Sequence, residues 1–233
     1  MTAQSTLDRL KKADNFKVWS FGRLQEALSH RDKVERLHDE EGALPPSLRS
    51  RLVKRVVQKV EPWDGEPDKV QWIDPATGYD CLIVRNHLGA LCGYIGVPPS
   101  HPLHMIDYST CPKACGEDWC EHTPESSLSV HGGLTFSNLC QPGEPIDGIC
   151  HRAMDGRPDN VWWFGFDTAH GGDMVPGMSF SFNEYGEYRN LEYVVGEIEH
   201  GAQQLRLVEL ERDVTEVEIK QAVQSITSDG RPD

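Results

Sequence analysis

A change of hydrophobic period near residue 61 sets the architecture of this chain. From Phe21 to Glu41, Leu24, Ala27, Leu28, Val34 and Leu37 recur at roughly helical spacing among charged residues, and Pro45-Pro46 breaks the run. Ser47 is placed to cap a second helix through Val60, with Leu48, Leu52, Val53, Val56 and Val57 on one stripe. After Glu61-Pro62-Trp63-Asp64-Gly65 the apolar residues alternate or form short runs, the spacing of strands whose side chains point to opposite faces. Val70–Ile73 and Tyr79–Asn86 flank Asp74-Pro75-Ala76-Thr77-Gly78, good turn chemistry for a hairpin, and Leu91–Val97 makes a third strand before Pro98-Pro99. Ser127–Ser137 and Val161–Asp167 predict two more strands. A last helix is expected from about Tyr185 to Leu210, with Tyr188, Leu191, Val194, Val195, Ile198, Ala202 and Leu205 on its apolar side. The expected fold is α+β, a mostly antiparallel sheet flanked by N-terminal helices and a long C-terminal helix. Its divisions are a helical region at 1–62, a core domain at 63–212 and an acidic, partly disordered tail at 213–233.

Charge and length remove several classes of function. The chain of 233 residues carries 23 Lys+Arg against 37 Asp+Glu, a formal charge of −14, which argues against nonspecific nucleic-acid binding because phosphate neutralisation needs a basic surface. The basic residues cluster at Arg49, Arg51, Lys54, Arg55 and Lys59, either a solvated helix face or a docking surface for an acidic partner or nucleic acid. No apolar run approaches the ~20 residues that span a bilayer, and the first residues lack an apolar signal core. A membrane role is therefore not expected, and a cytoplasmic protein is.

Two histidine-bearing stretches carry the candidate chemistry. In Leu128-Ser-Val-His-Gly-Gly-Leu-Thr-Phe136, strand alternation would put Leu128, Val130, Leu134 and Phe136 on one face and Ser129, His131, Gly133, Thr135 and Ser137 on the other. A Gly-Gly pair weakens a strand, and its usual reason is close approach of a ligand or another backbone; the ordinary alternative is a half-exposed strand. In Val161-Trp-Trp-Phe-Gly-Phe-Asp-Thr-Ala-His-Gly-Gly-Asp-Met174 an apolar strand runs into Asp167, His170 and Asp173, spaced three apart on a glycine loop. Imidazole with carboxylates suits a divalent metal or a His–Asp acid/base pair. Glu192, between Leu191 and Tyr193, and Arg85, at a strand end, are further candidates for ligand contacts. Aromatic rings at Tyr94, Trp162 and Trp163 offer stacking surfaces.

Seven cysteines, an odd number with no secretion signal before them, argue against a full disulfide framework. Cys81 and Cys92 lie in apolar runs and read as buried hydrophobes. Cys111, Cys115, Cys120 and His122 fall within twelve residues and could close a structural zinc site, with His101 or His104 as substitute ligands. Reduced thiols or a disulfide remain open for the same residues. Cys140 and Cys150-His151 flank a further loop that could form a second site.

Four blocks, Gly93-Tyr-Ile-Gly-Val-Pro-Pro-Ser-His-Pro-Leu103, Val130-His-Gly-Gly-Leu-Thr135, Trp162-Trp-Phe-Gly-Phe-Asp-Thr-Ala-His-Gly-Gly-Asp173 and Tyr188-Arg-Asn-Leu-Glu-Tyr193, resemble an uncharacterised family of bacterial and bacteriophage proteins. The resemblance covers roughly residues 70–205 and implies no established activity. A phage association would place the chain in the host cytoplasm and suggests a role against defence signalling, by binding or degrading a nucleotide messenger. The leading expectation is a hydrolase acting on a small phosphorylated or nucleotide-type ligand. His131, Asp167, His170 and Asp173 would be its catalytic residues, with or without a divalent metal. Tyr94, Arg85, Thr135, Trp163 and Glu192 would be its ligand contacts. A non-catalytic nucleotide-sequestering protein and a protein-interaction module are the alternatives.

Overall fold

The computed structural model describes residues 3–40, 61–111, 123–140, 148–179, 183 and 185–228, with the side chains of 36–40 and 212–228 left out. The elements run α1 (Ala3–Leu10), β1 (Lys17–Trp19), α2 (Arg23–Glu40), β2 (Lys69–Ile73), β3 (Asp80–Arg85), β4 (Leu91–Val97), α3 (Pro124–Ser127), β5 (Phe136–Leu139), β6 (Trp162–Asp167) and α4 (Leu191–Ser228). The six strands form one sheet in the order β1-β2-β3-β4-β6-β5, every neighbouring pair antiparallel. The protein is thus α+β, with helices before the sheet and a long helix after it.

Three boundaries differ from those expected. The N-terminal region is not purely helical, since β1 pairs Lys17, Val18 and Trp19 with Gln71, Val70 and Lys69 and so forms an edge of the sheet. The helix expected over 47–60, with its basic cluster, lies outside the described residues. The strand expected over Ser127–Ser137 begins only at Phe136, because Gly132 and Gly133 take φ of +67° and +83° and turn the chain instead of extending it. The last helix starts at Leu191, not Tyr185, and its backbone continues to Ser228, through most of the stretch expected to be an acidic, partly disordered tail.

Both faces of the sheet are covered. Cys81, Ile83, Leu91, Ile95, Phe164 and Phe166 face α4, which buries Leu191, Val194, Val195, Ile198, Ala202 and Leu205 completely against them. Those six recur at helical spacing, and each of the five larger side chains contributes about 1.5–3 kcal/mol of transfer free energy. Leu82, Val84, Cys92, Tyr94 and Trp163 form a second cluster on the other face. Residues 148–152 lie along β2: Nζ of Lys69 donates to the carbonyls of Gly148 and Cys150 at 2.7 Å each, and Gln71 exchanges hydrogen bonds with both backbone groups of Arg152. His151 stands edge-on to Trp163, its ring centroid 5.3 Å away. Cys140 and Cys150 are joined in a disulfide, Cα–Cα 5.2 Å, so this pair forms a covalent clip and not a metal site.

A buried ionic hub ties the helices to the sheet. Arg85, fully buried, reaches Glu66 at 3.0 Å and Asp68 at 3.3 Å, and donates to the carbonyl of Gly89 at 2.6 Å. Asp68 accepts the amides of Phe21, Gly22 and Arg23 where α2 begins, and Glu66 accepts the amide of Leu191, first residue of α4. Carboxylates at helix N-termini are favoured by the orphan N–H groups and the helix dipole. The single cation therefore balances two carboxylates that each cap a helix.

Candidate functional site

β5 and β6 are antiparallel neighbours, so the chain entering β5 and the chain leaving β6 meet at one end of the sheet. The amide of Thr135 donates to the carbonyl of Gly165 at 2.9 Å and its hydroxyl to Asp167 at 3.2 Å, which holds the 131–135 turn beside the 167–173 loop. That loop closes on itself. The Asp173 amide donates to the His170 carbonyl, and the His170 amide donates back to Oδ2 of Asp173, both at 3.0 Å. A short backbone ladder then joins 172–174 to Glu187 and leads directly into α4. Asn190 caps that helix, its side chain accepting the Tyr193 amide at 3.0 Å, which presents Tyr193 in the first turn.

Four side chains converge as a result. Nε2 of His131 lies 2.7 Å from Oδ2 of Asp173, and Nδ1 lies 2.9 Å from the Tyr193 hydroxyl. The His170 ring stands at 5.5 Å from the His131 ring, with Nδ1 at 4.0 Å from Oδ2 of Asp173. That nitrogen is buried and has no hydrogen-bond partner among the described residues. One donor atom from each of His131, His170 and Asp173 falls within a sphere of contacts no wider than 4.8 Å. Gly132 is required here: a Cβ at that position would sit 2.3 Å from Cε1 of His170.

Arg189 completes the arrangement. Its Nε donates to Oδ1 of Asp173 at 2.9 Å, its Nη1 to Glu187 at 2.8 Å, and its guanidinium lies 4.9 Å over the Tyr193 ring. Burial pushes the Asp173 carboxyl up, but hydrogen bonds from Arg189, His131 and the His170 amide outweigh it and hold the group below its ordinary range. Burial, with Glu197 nearby, raises the Tyr193 phenol despite the opposing guanidinium. Asp173 is therefore an anion, bonded to Arg189 on Oδ1 and shared between His131 and the His170 amide on Oδ2. An oriented imidazole beside a fixed carboxylate can take a proton from water, and two imidazoles with a carboxylate can hold a divalent ion.

Of the expected catalytic residues, His131, His170 and Asp173 come together. Asp167 stays at the margin: Oδ1 is 3.8 Å from His170 but accepts the Ala169 amide, and Oδ2 takes the Thr135 hydroxyl. Thr135 is exposed, and Glu192 is half-buried in the first turn of α4. Three expected ligand contacts are corrected. Arg85 is the buried hub described above, with Tyr188 at 3.0 Å, and has no exposed surface for an anion. Trp163 is fully buried, and Tyr94 is buried edge-on to Phe136 with its ring lying where a Cβ on Gly165 would stand, so neither offers a stacking face. Trp162 is also buried and donates from Nε1 to the Ile106 carbonyl.

The expected zinc set is altered in the same way. Cys111 is disulfide-bonded, and a half-cystine has no thiolate to ligate with. Cys115, Cys120 and His122 lie outside the described residues. His101 is buried between the Leu205 carbonyl and the Leu103 amide, and His104 contacts the Asn160 carbonyl. Cys81 and Cys92 are buried free thiols, Cys92 pushed up to about 12 chiefly by burial. Tyr193 and Arg189 were missed in the sequence. Reading Asn190 as a helix cap would have set Tyr193 in the first turn of the last helix.

Among the described residues, no helix is long and apolar enough to cross a membrane. Protein-family models, curated proteins and solved structures contain no match for this chain.

Proposed function

We propose that the protein is a hydrolase acting in the cytoplasm on a small phosphorylated or nucleotide-type ligand, with His131, His170 and Asp173 as its working centre. The observation that carries this reading is His131 held at both ring nitrogens, by Asp173 at 2.7 Å and Tyr193 at 2.9 Å. With Nε2 turned to Asp173, the nitrogen left to accept a proton is Nδ1, which meets the Tyr193 hydroxyl, so in the metal-free centre a nucleophile's proton would reach the imidazole through that hydroxyl. His131 and its two partner groups come from three separate stretches of chain, so the alignment is a product of the fold and not of local sequence.

The hydrolase reading and the nucleotide-sequestering alternative lose the same expected stacking contacts, because Tyr94, Trp162 and Trp163 are core residues, and they differ in whether the ligand is turned over. The interaction-module alternative rests on the 47–60 stretch, which lies outside the described residues. With Arg85 enclosed, Arg189, which lies against Asp173, or a bound cation would supply positive charge for a phosphate at a chain carrying −14.

The test is a turnover assay of the full chain over nucleotides, cyclic dinucleotides and ADP-ribose derivatives, with manganese or zinc added. Product from the wild type and none from a folded His131→Ala variant is the expected result. Tight binding with intact ligand recovered would sink the hydrolase reading and favour sequestration.

A further inference from the structure

We propose that His131, His170 and Asp173 bind one divalent transition-metal ion, through Nε2 of His131, Nδ1 of His170 and Oδ2 of Asp173. This does not depend on turnover, since a protein that only holds its ligand could carry the same ion.

The distances are close to those a metal needs. With metal–ligand bonds of about 2.0–2.1 Å, donors around one ion stand roughly 2.9–3.4 Å apart. His131 and Asp173 are at 2.7 Å and would open slightly, while His170 and Asp173 at 4.0 Å would close by roughly half an ångström. The His170 side chain, 34% exposed, has room for that movement.

The unpartnered nitrogen argues for an ion over a bare His–Asp pair. Nδ1 of His170 is buried and lacks a hydrogen-bond partner among the described residues, a costly state that a Lewis acid beside it would relieve. The His131–Asp173 pair makes no use of this nitrogen, which lies between Oδ1 of Asp167 at 3.8 Å and Oδ2 of Asp173 at 4.0 Å without a hydrogen bond to either. Gly132 packs under the His170 ring at a distance no other residue permits, which holds the imidazole over Asp173.

The outer groups also match. A metal-bound imidazole ordinarily passes its other N–H to an oxygen acceptor, and Nδ1 of His131 meets the Tyr193 hydroxyl. A ligating carboxylate is ordinarily hydrogen-bonded in turn, and Asp173 takes Arg189 on Oδ1 and the His170 amide on Oδ2. Two imidazoles and one carboxylate suit zinc, iron(II), cobalt(II) or manganese(II), and leave positions open for water or a ligand. In such an opening a bound water's pKa falls toward ~7, the chemistry a hydrolytic centre would use.

Cobalt(II) titration of the full chain tests this, because visible bands without thiolate charge transfer separate a nitrogen–oxygen site from any cysteine site. The expected result is one equivalent of cobalt with a nitrogen–oxygen spectrum. His170→Ala and Asp173→Asn should weaken it more than 100-fold, and Tyr193→Phe about 10–100-fold. His170→Ala removes no side-chain hydrogen bond, so its circular dichroism and melting should match the wild type. An absent nitrogen–oxygen spectrum, or unchanged binding in folded His170→Ala, overturns the proposal. Cobalt binding without turnover of any ligand would defeat only the hydrolase reading.

Discussion

Replacing Arg85 by methionine separates a scaffold role from a ligand role. The side chain is fully buried, and its removal leaves Glu66 and Asp68, 1% and 4% exposed, facing each other's charge without a cation. Breaking a buried ion pair from one side costs about 3–5 kcal/mol. The amides of Phe21, Gly22, Arg23 and Leu191 still donate to the two carboxylates, which places the expected loss near the lower limit, about 3 kcal/mol. For a chain of this size that is a fall in Tm of roughly 6–12 °C. Thermal melting followed by circular dichroism reads it, and Glu66→Gln in the Arg85→Met background should recover part of the loss by removing one unpaired charge. Cobalt binding well below the transition should stay near wild type. A melting temperature within 2 °C or so of wild type, together with lost ligand binding, would refute the hub and return Arg85 to the site.

Gly132→Ala and Gly133→Ala both place a Cβ at positive φ and should each cost about 1–2 kcal/mol, but only Gly132→Ala meets the His170 ring, so only it should abolish cobalt binding. Equal binding in the two variants would show that His170 is not a ligand. His151→Phe should stabilise the protein by about 1 kcal/mol at neutral pH, since both ring nitrogens of this buried side chain lack partners among the described residues and the aromatic contact with Trp163 can persist. Burial holds the His151 pKa below its ordinary 6.5, with Asp80 pulling the other way. The unfolded chain then takes up the proton first, so the wild type's stability is full above 6.5 and falls as pH drops through the interval beneath it. Urea melts between about pH 7 and pH 5 should show that slope in the wild type and a shallower one in His151→Phe; identical slopes would mean His151 does not titrate there.

Local pattern determined a good part of this protein. Period-two spacing located β2, β3, β4 and β6 to within a residue or so, because alternation reports which side of a sheet each residue meets. The six fully buried residues of α4 were visible in its helical stripe. His131, His170 and Asp173 also stood out, each beside or close to a glycine pair, although the first pair proved to be a turn before β5 and not part of a strand. Tertiary structure decided the rest. A strand-end arginine reads the same whether it faces solvent or a pair of carboxylates, and only the placement of Glu66 and Asp68 against Arg85 made it a core residue. Trp163 became interior because 148–152 runs along β2 and sets His151 against it, an alignment held by Lys69 and Gln71 that no spacing announces, and Tyr94 because Phe136 of β5 packs edge-on to it. Tyr193 and Arg189 joined the centre because the antiparallel meeting of β5 and β6 brings residue 131 to residue 173, and the ladder at Glu187 brings the start of α4 to both. Sequence periodicity records each residue's contact with the layer beneath it; which distant side chains share a site is set by how the layers close.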